Sequence, residues 1–324
     1  MGREFDLISR FFARAVPAGY LGGGDDCALL PPPVKAGQVL AVSTDMLVEG
    51  RHFFSDVSPR ALGHKALAVN LSDLAAMGAT PVGCVLGLAI PGVNESWLGH
   101  FSDGFYALAE RARCPLVGGD TTKSDLITLS VTVFGYVDAA SALRRSTARP
   151  ADDIWVTGTL GAPHIALLMV QGTLSPEVLR CLAGCESDLR SSLEQPEPPL
   201  DFGQRLVGVA HAALDISDGF MQDLGHILKA SQCGAEVWYE CLPIHPALSG
   251  LPEALCHEAV LSGGDVYQLC FTAAPGHRSV VQALANQCGV SVSRVGRITD
   301  QVGQHDIFLN GQPLNVARQG FQHF

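Results

Sequence analysis

Six places in the chain set aspartate beside glycine, serine, threonine or small apolar residues. Asp25 and Asp26 follow Gly22-Gly23-Gly24, and Asp45 closes the run Val39 to Thr44. Asp73 lies inside Asn70 to Gly78, Asp120 follows Gly118-Gly119, and Asp215 and Asp218 flank Ile216-Ser217. Read singly, each is explained by a cap, an Asx-turn or a solvated charge. Read together, they suggest a metal–phosphate site. Glycine lets a backbone approach phosphate closely, and Ser or Thr hydroxyls add metal or phosphate contacts. Asp73 is the most telling. Its neighbours Leu71, Leu74, Ala75 and Ala76 point to an interior or cleft position, where an ionised carboxylate needs a cation or several donors. Lysine is confined to positions 35, 65, 123 and 229, so magnesium is the natural counter-charge; it takes one or two carboxylates together with phosphate oxygens and water.

These residues need elements to position them. Val39 to Asp45 reads as a buried strand with a polar end. Pro59 to Gly78 reads as a long helix, with Pro59 in its first turn and Gly78 as its C-terminal cap. Strands are expected over Val82–Ile90, Leu116–Asp120 and Leu126–Val137, and a helix over Glu95–Ala112. Asp6 to Ala15 has helical spacing, with Asp6 as N-cap. Beyond a boundary near Pro150, Asp153–Thr157 starts a new strand, and Gly158 to Gly161 turns into a helix. Glu194 to Pro199 reads as a rigid loop. Ala212–Asp215 is a strand that meets Ser217-Asp218-Gly219, followed by a helix to about Ser231. Strands and helices alternate again from Gly234 to Ile298. The fold class is α/β (α+β), with domains over residues 1–149 and 150–324.

Composition limits the partners. Of 324 residues, 47% are hydrophobic and 16% charged, which suits a packed core and not a disordered chain. The net charge of −11 excludes nucleic-acid binding through a basic face. No apolar run is long enough to span a membrane. The N-terminus has no hydrophobic signal core, and the ten cysteines form no CxxC pair. The cysteines read as buried small hydrophobes in a reducing compartment, and the expected location is the cytoplasm. A P-loop run, a GxSxG elbow and an HExxH pair are missing from the sequence, and Gly22-Gly23-Gly24 makes no GxGxxG.

The motifs Gly24 to Leu30, Ser43 to Phe53, Lys65 to Ala79, Gly118 to Thr122 and Leu214 to Gly219 resemble the thiamine-monophosphate kinase family, and the likeness runs from Phe5 to Phe324. The wider superfamily resembles aminoimidazole ribonucleotide synthetase and selenophosphate synthetase. The resemblance implies a two-domain aminoimidazole ribonucleotide synthetase-like fold whose N-terminal domain contributes strands to a β-barrel at a homodimer interface. It implies direct phosphoryl transfer from ATP to thiamine monophosphate, giving thiamine diphosphate, with several magnesium ions. Asp26, Ser43, Thr44, Asp45, Asp73, Asp120, Asp215 and Asp218 would ligate magnesium. Gly119, Asp120, Arg145 and Ser217 would contact ATP. His52, Asp265 and Phe321 would contact the substrate. No residue is singled out as a covalent or acid–base catalyst; Asp73 and Asp120 matter most to the metal-aligned transfer.

The chain departs from the family pattern in two places. Where the family reads Ser-Gly-Gly-Glu-Asp-Tyr-Glu-Leu, this chain has Ser262 to Leu269 with Asp265 and Val266. Near the C-terminus Phe321 and Gln322 stand for a tyrosine and an acid. Weaker substrate binding is expected, reversed by Glu at 265 together with Asp at 266. The alternative readings are another ATP-dependent synthetase of the superfamily, or a nucleotide-binding homologue without turnover. Cys27 stands where the kinase pattern also has cysteine, so it reads as structural and not as the reactive residue a selenophosphate synthetase would carry.

Overall fold

The computed structural model describes residues 8, 10–20, 30–33 and 35–314. Asp6, Asp25, Asp26, Cys27, Phe321 and Gln322 therefore lie outside the described residues; of the N-terminal helix, Ile8, Arg10 and Phe11 are helical. The chain divides into two compact units. One comprises Met1–Leu74 and Ala79–Ala140, the other Ala75–Gly78 and Ser141–Phe324.

The first unit contains β1 (Gln38–Val48), α1 (Pro59–Met77) as far as Leu74, β2 (Thr80–Ile90), α2 (Glu95–Ala112), β3 (Leu116–Lys123) and β4 (Thr128–Asp138). Ser58 caps α1 by accepting the Ala61 N–H at 3.1 Å, and Asn94 caps α2 through the Trp97 N–H. The sheet order is β1-β4-β2-β3, with β2 and β3 parallel and the other pairs antiparallel. Among the described residues the sheet is open, with β1 and β3 as edges, and no barrel closes. The strand pleat sends alternate side chains to opposite faces. Along β1, Leu47 is buried and Ser43 and Asp45 are half-buried, whereas Val42, Thr44 and Met46 are exposed.

The second unit contains β5 (Asp153–Thr157), α3 (Ala162–Val170), α4 (Pro176–Cys181), α5 (Glu186–Glu194), α6 (Leu200–Leu206), β6 (Ala210–Asp215), α7 (Phe220–Ser231), β7 (Gly234–Trp238), α8 (Glu253–Leu261), β8 (Leu269–Ala273), α9 (Arg278–Cys288), β9 (Val292–Thr299), β10 (His305–Leu309) and β11 (Gln312–Pro313). Its seven strands run in the order β11-β10-β7-β9-β5-β8-β6. Alternation builds a core on each face. Ile154, Val156 and Leu214 pack with α3, α7 and α8 residues, while Trp155, Ala213 and Phe271 pack with Phe202 of α6 and Val281 of α9. Among the described residues, no helix is long and apolar enough to cross a membrane.

Candidate functional site

In the first unit, α1 lies antiparallel over β1 and gathers several of the expected residues. Ser43 Oγ donates to the Asp73 carboxylate at 2.5 Å. The Asp45 N–H donates to the Asn70 side-chain oxygen at 2.9 Å. Lys65 Nζ, on the same helix, donates to the His52 carbonyl at 3.2 Å. Residues 65, 70 and 73 thus meet 52, 45 and 43 in reverse order. Asp73 is half-buried, as its small apolar neighbours suggested. His52 Nδ1 accepts the Val48 N–H at 3.0 Å, so the neutral ring carries its proton on Nε2 and can donate from there.

Thr44 and Asp120 stand apart from that cluster. Thr44 is on the opposite, exposed face, hydrogen-bonded to Thr132. A contact from Thr44 to an ion held by Ser43 and Asp73 would have to use its main chain. Asp120 is level with Met46 through Gly87 and Ser130, three strand spacings away, or about 14 Å. Its carboxylate is exposed and accepts the Thr121 N–H at 2.8 Å. Gly119 sits where any Cβ would lie 2.0 Å from the Leu86 carbonyl oxygen, so the strand that carries Asp120 tolerates no side chain there.

The second unit holds the other acidic turn. Asp215, buried at the end of β6, leads into Ser217-Asp218-Gly219. One oxygen of Asp223, 4% exposed, accepts the N–H groups of Ser217, Asp218 and Gly219 at 3.0, 3.0 and 3.1 Å. Burial pushes the Asp223 carboxyl up to about 7, helped by the charge of Asp218 and opposed by the three N–H donors. Gln222 Nε2 donates to the Asp218 carboxylate at 3.2 Å. The segment Ser262 to Leu269 runs alongside: the Asp265 N–H donates to the Ser217 carbonyl and the Tyr267 N–H to the Ile216 carbonyl, each at 2.7 Å. Asp265 is thereby set beside Ser217 and Asp218. Val266 is 6% exposed and belongs to the hydrophobic core, so an acid at 266 would be placed among apolar side chains.

Arg145 is exposed at the start of a short turn, and its carbonyl accepts from Ser231 at 2.8 Å. Ser231 ends α7 whereas Ser217 precedes it, so the backbone of Arg145 is about a helix length, roughly 17 Å, from that turn. Among the described residues, no three His, Cys, Asp or Glu side chains are preassembled around one metal position. The donors that do converge are carboxylate and hydroxyl oxygens, the set a hard divalent cation takes with phosphate oxygens completing its shell. Asn70, Asp223 and Tyr267 were missed from sequence. Asn70 had a signal, since it is three residues before Asp73 on one helix face. Cysteine burial is mixed: Cys84, Cys114, Cys233 and Cys270 are buried, but Cys181 and Cys241 are exposed.

Residues 24–137 match the family model of the AIR synthase related protein, N-terminal domain. The chain is 40% identical to a thiamine-monophosphate kinase of Salmonella typhimurium over 328 aligned positions, covering 99% of this chain and 98% of that protein. It superposes on a crystal structure of thiamine-monophosphate kinase from Stenotrophomonas maltophilia K279a with a TM-score of 0.83, at 42% identity and 96% coverage of both chains. A structure of AaThiL complexed with AMPPCP and TMP gives a TM-score of 0.74 at 29% identity, covering 91% of this chain and 90% of that one. Fold and site thus define a two-unit α/β protein of the AIR synthase related class. Within that class, the chain belongs to the thiamine-monophosphate kinase family.

Proposed function

We propose that the protein is an ATP-dependent kinase that phosphorylates thiamine monophosphate to thiamine diphosphate. The observation that carries this reading is the end-to-end likeness, at 40% identity over 99% of the chain, to a protein named for that activity. Residues 1–149 form the ATP- and magnesium-binding, dimerising domain, and residues 150–324 the C-terminal α/β domain.

A phosphate oxygen of thiamine monophosphate attacks the γ-phosphorus of ATP. The new P–O bond replaces the bond to the β-phosphate oxygen, and ADP leaves. The attacking oxygen is already ionised, so the chain needs no general base; its work is alignment and charge neutralisation. Magnesium, when bound, would supply positive charge to neutralise the phosphates. Asp26, Ser43, Thr44, Asp45, Asp73, Asp120, Asp215 and Asp218 are the residues to hold it. Gly119, Arg145 and Ser217 serve the nucleotide, Arg145 as a charge-assisted fork on phosphate oxygens. His52, Asp265 and Phe321 orient thiamine monophosphate. The working form is a homodimer, in which the open sheet of one copy joins that of the other, and the location is the cytoplasm.

The test is purified protein with Mg-ATP and thiamine monophosphate, followed for thiamine diphosphate. Product is expected from the wild type. Asp73→Asn, which keeps shape but removes an anionic ligand, should stay folded and lose most turnover at low magnesium. A folded, ATP-binding wild type that makes no thiamine diphosphate refutes the reading.

A further inference from the structure

A glycine-containing turn that opens a helix is ordinarily a place where main-chain N–H groups receive a phosphate. The Ser217–Gly219 turn before α7 has that form, yet its cradle is filled from inside. A single oxygen of Asp223 takes three successive N–H groups at 3.0, 3.0 and 3.1 Å. The opposite edge of the turn is used as well, because the carbonyls of Ile216 and Ser217 accept from Tyr267 and Asp265. Gly219, at φ +132°, closes the turn where a Cβ would lie 2.6 Å from the Ser262 carbonyl oxygen. The side chains gathered at the turn carry oxygens: the hydroxyl of Ser217, the carboxylate of Asp218, which accepts from Gln222, and the buried carboxylate of Asp215. Such a surface repels a bare phosphate and attracts a divalent cation.

We infer that Asp223 is a positioning residue: its carboxylate stands in for a bound anion, holds the Ser217–Gly219 amides, and turns an anion cradle into a cation-binding turn. This rests on reading the chain as a magnesium-dependent kinase. Phosphates then meet this turn through ions held by Asp215 and Asp218, not through its amides. The shape of the turn depends on an oxygen acceptor at 223 more than on a charge there, because one oxygen makes all three bonds. A side-chain amide at 223 can supply that oxygen; a methyl group cannot.

The experiment uses the full chain as wild type, Asp223→Asn and Asp223→Ala. Two readouts are taken: hydrogen–deuterium exchange of the peptide spanning 216–222 without ligand, and the magnesium concentration for half-maximal ATP binding by calorimetry and half-maximal turnover. Asp223→Asn should keep the amides protected and stay within about threefold of wild type in magnesium demand, whereas Asp223→Ala should lose protection and need about 10–100-fold more magnesium. A purely structural role would lower thermal stability in both variants without moving magnesium demand. The inference is overturned if Asp223→Ala keeps its amides protected or its magnesium demand unchanged. It is equally overturned if Asp223→Asn is as impaired as Asp223→Ala. Should Asp223→Ala fail to fold, Asp223→Asn decides alone by the same two readouts. If the wild type binds Mg-ATP but does not phosphorylate thiamine monophosphate, the exchange and calorimetric results still judge Asp223, and only the functional reading falls.

Discussion

At position 265 a shorter acid meets an unusual backbone. Asp265 has φ +59° and Tyr267 φ +52°, both left-handed for residues with a Cβ, and the hydroxyl of Tyr267 bonds the Asp265 carboxylate at 3.2 Å. Aspartate is among the side chains that tolerate this region best, so the residue type suits the turn. Glutamate at 265 would recover one methylene of reach. Asp265→Glu alone should therefore lower KM for thiamine monophosphate by about fivefold, equivalent to ~1 kcal/mol. Val266→Asp should do nothing for KM and should destabilise the second unit by on the order of 3–5 kcal/mol, because it buries an uncompensated carboxylate. Initial-rate kinetics and urea titration of the two single variants separate these outcomes. An unchanged KM in Asp265→Glu would show that reach at 265 does not limit substrate binding.

At the level of elements, one clamp ties three pieces of the second unit. Asp153 opens β5, is 2% exposed, and takes two bonds from Arg278 at the start of α9, at 2.6 and 2.8 Å, and one from Arg294 of β9 at 3.2 Å. Burial alone would raise this carboxyl, but the hydrogen bonds and charges of both arginines outweigh it and hold it below its ordinary 3.8. A depressed carboxylate stabilises the fold above the unfolded value and loses that contribution as pH falls through the folded one. Asp153→Asn should thus lower the thermal midpoint at neutral pH by on the order of a few degrees. The gap to wild type should close as pH drops below about 3.8; a gap independent of pH would point to packing instead. Several elements were legible in sequence. β5 runs over its expected residues, α1 follows from Pro59 in its first turn and Gly78 as its cap, and α2 spans its expected Glu95–Ala112. The helices α4, α5 and α6 were not foreseen, because runs of 6, 9 and 7 residues carry too little periodicity. The site was legible as residue types but not as geometry. Ser43, Thr44 and Asp45 read as one ligand run, yet the pleat divides them between two faces. Asp223 was hidden because an acid in the first turn of a helix ordinarily only complements the dipole. Burial alone marks it out.

At the level of the molecule, the exposed face of the four-stranded sheet is the feature a lone chain leaves unexplained. Leu40, Val42 and Met46 alternate along β1 on the side away from the helices, with Val42 56% and Met46 55% exposed. An antiparallel sheet with one solvated face normally makes that face polar. An aliphatic row of this kind on an open edge strand, interrupted only by Thr44, is what an association surface exposes. Pairing with a second copy through a twofold axis would cover the row with its own equivalent, which is the economical way to satisfy it. Thr44 and Asp120 also point to this face, so two of the proposed ligands would then lie against the partner. Light scattering of the wild type should accordingly give twice the mass of one chain. The double substitution Val42→Glu with Met46→Lys, at positions exposed in the single chain, should leave far-UV circular dichroism intact and shift the protein to a monomer at micromolar concentration. It should also cut turnover by about tenfold or more, as expected when the supports of metal ligands are removed. A wild type that stays monomeric across the same concentrations, or a monomeric variant with full turnover, would show that the aliphatic row serves something other than the assembly of the site.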